Sequence, residues 1–175
     1  MKYVNTDSYA ENPGRVFLSD RKFRQIRRML QLCFSERRYF NAQKQRINEY
    51  MAFGDTQPAM VYSLSPFTVC SYSDEMDAVI MLRFPDKLAQ QYNLCAGTRL
   101  VTVNVYSYKN AYGIASDIFI GENYLDRYRD FTPVLALFLS HNEAELKAKT
   151  ALFGEEVWSM VSDKMHDYAA AHPGM

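Results

Sequence analysis

The sequence predicts an α+β fold: a single, mainly antiparallel sheet of five to six strands, with an N-terminal basic helix and two C-terminal helices packed on one face. Three observations carry this expectation. Residues 99–120 alternate with period two, Val101, Val103 and Val105 against Thr102, Asn104 and Tyr106, then Ile114, Ser116, Ile118 and Ile120 against Ala115, Asp117 and Phe119. Period two places alternate side chains on opposite faces of a strand, a surface that suits β-branched and aromatic residues. Before this stretch, Phe23, Ile26, Leu30 and Cys33 recur at helical spacing, as do Val157, Trp158, Val161, Met165 and Tyr168 near the end.

Each element follows in chain order. Residues 1–18 read as an irregular arm, with turn chemistry at Asn12-Pro13-Gly14, and residues 19–171 as one domain. Ser19 or Asp20 caps the first helix, whose pattern continues through Phe40, Ile47 and Met51 with a break near Ser35. Strands are expected over Met60–Leu64, Phe67–Tyr72 and Ala78–Phe84. Pro85 ends the third and pre-sets a short helix, Asp86 to Tyr92. Gly97 turns the chain into Arg99–Ile120, read as a hairpin closed at Lys109-Asn110. A short helix is expected over 121–130, a central strand over Val134–Leu139, a helix capped by Asn142 with Glu145 three residues on, and a last helix after Gly154.

The run from Val79 to Val105, with Leu82, Pro85, Leu88, Leu94, Gly97 and Val103, resembles the strand–Pro–helix–Leu-x-x-Gly–strand pattern of swapped-hairpin transcription factors of the AbrB type. The resemblance spans 27 of 175 residues, and no function is carried over from it.

Composition bounds the function. At 48% hydrophobic and 23% charged residues the chain reads as a globular domain able to fold without disulfides or metal. Three distant cysteines, Cys33, Cys70 and Cys95, and a start at Met1-Lys2-Tyr3-Val4 without an apolar core segment point to a reducing, cytoplasmic setting. The longest apolar run, Pro133 to Leu139, is far short of the roughly 20 residues that span a bilayer, so no membrane association is expected. The sequence lacks a phosphate-cradling Gly loop, a His-Glu-x-x-His pair and a Gly-x-Ser-x-Gly elbow. No metal or other cofactor and no catalytic residue is therefore assigned.

Net charge is zero but divided: residues 1–46 hold 11 Lys/Arg against 4 Asp/Glu, and residues 47–175 hold 9 against 16. Such a split marks a surface for an acidic partner or nucleic acid, or else two halves of one domain that attract each other. Three candidate sites follow. Tyr106, Tyr108, Lys109 and Tyr112 flank the expected hairpin end as an aromatic contact patch, the alternative being a cross-strand ladder that only stabilises the sheet. Arg21, Arg24 and Arg28 lie opposite the apolar stripe of the first helix, placed to meet phosphates. Ser140-His141 sits at a helix N-terminus, where Asp117 or Cys70 is a conceivable partner for a small enzyme; capping by Ser140 and Asn142 is the plainer reading. The function expected first is a binding or interaction protein (inhibitor, adaptor or assembly subunit) with a protein partner. Nucleic-acid binding comes second and an enzyme using His141 third.

Overall fold

Six strands form one sheet in the order β5-β3-β2-β1-β4-β6, every neighbouring pair antiparallel. The computed structural model describes residues 10–30, 37–108 and 113–173. Along the chain come α1 (Asp20–Met29), α2 (Arg37–Phe53), β1 (Asp55–Leu64), β2 (Phe67–Ser73), β3 (Ala78–Arg83) and α3 (Asp86–Gln91). Then follow β4 (Arg99–Tyr108), β5 (Ile118–Ile120), β6 (Tyr128–Leu135), a 3-10 turn at Ala136–Phe138, α4 (Glu143–Thr150) and α5 (Glu155–Ala171). The α+β expectation holds, with six strands and the basic and C-terminal helices on one face.

That face is built by alternation. Val101 and Val103 of β4 and Val134 of β6 pack against Phe23 of α1, Met51 of α2 and Leu146 of α4. Farther across the sheet, Met60, Cys70, Tyr72 and Val79 pack against Trp158, Val161, Met165 and Tyr168 of α5. On the other face, Ala59, Val61, Phe67 and Val69 meet Leu88 and Ala89 of α3 and Phe138 of the 3-10 turn. The sheet curls toward this second face, so that Ile80 of β3 and Ile118 of β5 share a cluster with Tyr128 and Phe131 of β6 from its far edge. Full burial of each large apolar side chain contributes roughly 1.5–3 kcal/mol.

The caps form as the sequence predicts. Ser19 Oγ accepts from Lys22 N at 3.2 Å, and Asn142 Oδ1 accepts from Glu145 N at 3.1 Å. Gly97, at φ +80°, makes the turn into β4, a conformation that costs glycine little.

Three expectations are corrected. Residues 99–120 do not form a hairpin: β4 pairs with β1 and β6, whereas β5 pairs with β3. Alternation shows that a segment is a strand and leaves its partner open. The Lys109-Asn110 turn lies outside the described residues. Residues 121–130 form turns that lead into β6 rather than a helix, because Asp77 Oδ2 accepts from Asn123 N at 3.0 Å and Tyr124 donates its hydroxyl to Tyr128 O at 2.6 Å. Residues 134–139 are not a central strand. Val134 and Leu135 end an outer strand and the 3-10 turn follows, dividing the apolar run between two clusters with Phe138 in one and Leu139 in the other.

Candidate functional site

The basic face of α1 is set by helical spacing. Arg21, Arg24 and Arg28, three and four residues apart, share one stripe, and all three are exposed. Phe23 and Ile26 point the other way, into the cluster on the sheet. The ion pairs of this helical layer run to Asp20 on α1 itself: Lys44 of α2 lies 2.7 Å from one carboxylate oxygen, and Arg24 is at 3.9 Å. The hydrogen bond from Lys44 holds the Asp20 carboxyl below its ordinary pKa. Elsewhere among the described residues the pairs join Arg99 to Glu155, Arg127 to Glu75, Arg129 to Asp126, Lys149 to Glu145 and Lys164 to Asp77, all beyond residue 46. Among the described residues, Arg21 and Arg28 have no ion-pair partner.

The tyrosines at the end of β4 divide. Tyr106 is half-buried, its ring 4.9 Å from that of Tyr128 and 6.4 Å from Phe131, and its hydroxyl accepts from Ser73 Oγ at 3.3 Å. Burial raises its pKa well above the usual phenol value. Tyr108 also stacks on Tyr128, at 5.4 Å, but keeps 44% of its surface exposed. Lys109 and Tyr112 lie outside the described residues.

At the junction before α4, Ser140 is buried and His141 exposed. Ser140 Oγ accepts from Asn142 N at 3.2 Å, a capping contact, and the His141 side chain makes no hydrogen bond or ion pair among the described residues. Cys70 is sealed beneath α5, where burial pushes its thiol up to about 12. Asp117 accepts through its backbone carbonyl from Tyr168 of α5, at 3.3 Å. What dominates this corner is Lys22. Its buried ammonium donates to Leu137 O at 3.0 Å and Ser140 O at 2.6 Å, and lies 5.0 Å from the centre of the Tyr92 ring. Desolvation holds the Lys22 pKa below the usual lysine value, partly offset by Glu143.

A feature that the sequence reading missed is a buried polar row on the curled face. Asp55, Gln57, Ser71, Ser73, Thr102 and Asn104 are all buried. Gln57 Nε2 donates to Asp55 Oδ2 at 2.6 Å and to Asp74 Oδ1 at 2.7 Å, Ser71 and Thr102 share a hydroxyl contact of 2.9 Å, and Asn104 Nδ2 donates to Tyr72 O at 2.8 Å. Burial, with repulsion from Asp74 and Glu75, raises Asp55 to about 6 against the opposing donors Asn12 N and Gln57. Its signal was the spacing Asp55-x-Gln57, Ser71-x-Ser73 and Thr102-x-Asn104, which alternation alone reads as a solvent face.

Among the described residues, no group of three or more His, Cys, Asp or Glu is placed to hold a metal, and no helix is long and apolar enough to cross a membrane. Comparison with protein-family models, with curated proteins and with solved structures yields no match.

Proposed function

We propose that the chain is a small cytoplasmic binding protein that acts by contact with an anionic macromolecular partner, as an inhibitor, adaptor or assembly subunit does, and performs no chemistry of its own. The observation that supports this reading is the outer face of α1. Arg21, Arg24 and Arg28 face solvent there; among the described residues Arg21 and Arg28 have no ion-pair partner, and Arg24 has the 3.9 Å contact with Asp20. Folding thus leaves a stripe of positive charge on the outer face of α1, and such a field steers an oppositely charged partner into register. An acidic protein surface suits this face best. Phe23, the aromatic residue of α1, is buried, so the face offers no ring on which bases would stack.

Nucleic-acid binding is the second reading, favoured by the same three arginines along one helix stripe, which can meet successive phosphates.

The two are separated by immobilised poly-glutamate, duplex DNA and single-stranded RNA as probes, with the full chain and the variant Arg21→Glu/Arg24→Glu/Arg28→Glu. Exposed substitutions of this kind leave folding within about 0.5 kcal/mol each. Retention on poly-glutamate at low salt, lost in the folded variant, supports the protein-partner reading. Retention on nucleic acid alone, with a steep salt dependence, favours the second. Equal behaviour of the two chains on every probe removes the basic face from both.

A further inference from the structure

On the flank of α1 opposite the arginine stripe, a cleft of about 470 Å³ opens between α1, α2, the outer strand β6 and the end of β3. Its walls are apolar, with Ile26, Ile47, Leu82, Phe84, Val134 and Phe138 among them. Its charged lining has one sign: Arg27, Arg46 and Arg83 line it and no carboxylate does. Arg46 Nε donates to Tyr50 OH at 2.7 Å, which fixes the guanidinium beside the cleft. Arg46 and Arg83 are exposed and have no ion-pair partner among the described residues.

We propose that this cleft binds an amphipathic carboxylate, a medium-length alkyl chain with one terminal acid group, its chain against the apolar walls and its head at Arg46 and Arg83. The volume falls within the roughly 300–1,000 Å³ of small-molecule sites. Guanidinium groups match a carboxylate in shape and charge, and nothing in the lining repels it. The neighbouring edge of β6 does not favour an added peptide strand, since Pro133 has no N–H to offer there. This site is separate from the face of Arg21, Arg24 and Arg28, so its failure leaves the proposed contact face standing, and the reverse holds too.

The experiment titrates the full chain with decanoate, dodecanoate and tetradecanoate below their micelle concentrations, and with dodecanol and dodecyltrimethylammonium as head-group controls, by calorimetry. Burial of each methylene is expected to tighten binding about fourfold until the cleft is full. Dodecanoate is expected to bind one per chain and at least about tenfold more tightly than dodecanol, with the ammonium weakest. Arg46→Ala with Arg83→Ala, both exposed positions, should erase the advantage of the acid over the alcohol while leaving the alcohol's affinity in place. Leu30→Trp at the rim should weaken all chains. No saturable binding of dodecanoate overturns the proposal, as does binding indifferent to head group or unchanged by loss of both arginines.

Discussion

Lys164 of α5 reaches Asp77 at the foot of β3, Nζ to Oδ1 at 2.7 Å, and that contact fastens the last helix to the turns around β5. Asp77 is buried and also accepts from Asn123 N at 3.0 Å and Tyr72 OH at 3.2 Å. Burial raises its pKa, but Lys164, Asn123 and Tyr72 together outweigh this, and the carboxyl lies below its usual range. Gly121 belongs to the same joint: its N–H donates to Asp77 O at 2.6 Å, and a Cβ there would overlap the Asp77 carboxylate and the Lys164 ammonium.

Lys164→Met keeps the stem over Tyr72 and removes the charge, leaving Asp77 buried with two neutral donors. The expected loss is about 2–3 kcal/mol near neutral pH, less than for a fully buried pair because Lys164 is partly exposed. This amounts to a fall in melting temperature of roughly 4–12 °C. Because the folded pKa of Asp77 is depressed, its contribution is present above the unfolded value of 3.8 and is lost as pH falls through the folded value. Urea unfolding of both chains should therefore diverge at pH 7 and converge in strong acid. Gly121→Ala should be destabilising at either pH, because its clash is steric.

Tyr106 and Tyr108 occupy the same face of β4 and should behave differently. Tyr106→Ala removes a half-buried ring from contact with Tyr128 and Phe131 and should cost about 2–4 kcal/mol. Tyr108→Ala, at 44% exposure, should cost about 1 kcal/mol or less. Thermal melts of the two variants check this. An equal, large loss in both would make the pair a structural ladder, and a negligible loss in both would contradict the packing of Tyr106.

Lys22 holds the 3-10 turn against α1. Lys22→Met preserves the aliphatic stem but leaves Leu137 O and Ser140 O without their donor, at about 1–3 kcal/mol for each carbonyl that stays dry, partly offset because a desolvated ammonium is removed. The net expectation is a loss of about 1–3 kcal/mol, read by denaturant titration. Hydrogen exchange should quicken at Leu139 and Ser140, whose amides both donate to Ala136 O.

These joints explain which parts of the fold were legible in the sequence. Ser19, Asn142 and Gly154 act locally, through their own backbone and the next turn, so the helix starts followed from residue type and spacing. The stripe Trp158, Val161, Met165 and Tyr168 carried its period unbroken into α5. Strand partners were not legible, since period two is common to every strand and β4 meets β1 across separations from 39 residues, Arg99 with Met60, to 49, Asn104 with Asp55. The buried polar row was hidden for a related reason. Gln57 and Ser71 look solvent-facing until the curl of the sheet closes over them. Of the candidate sites, the arginine stripe could be read because a helix fixes it alone, whereas the inward turn of Tyr106 depends on Tyr128, brought beside it only when β6 pairs with β4.

Asp55 provides a test of that buried row through pH. Its folded pKa of about 6 lies above the ordinary 3.8, so the folded protein holds this proton more tightly than the unfolded chain. Below about 3.8 both states are protonated and the contribution is fully present; as pH rises toward 6 the unfolded chain ionises freely while the buried carboxyl resists, and stability is lost. At about 1.4 kcal/mol per unit the limit is roughly 3 kcal/mol, and partial solvent access reduces it to about 1–2 kcal/mol. Asp55→Asn removes the titration while its carbonyl still accepts from Asn12 N; the bond from Gln57, which stays on Asp74, is lost at every pH and shifts the baseline rather than the pH dependence. The variant should therefore gain on the parent between pH 4.5 and pH 7 by about 1–2 kcal/mol, the direction opposite to that of the Asp77 joint and in a separate pH window. Parallel urea titrations at four pH values across that range measure the difference, in which groups common to both chains cancel. A difference that stays flat with pH would mean that Asp55 ionises as readily in the folded protein as in the unfolded chain, and the row would then be open to water.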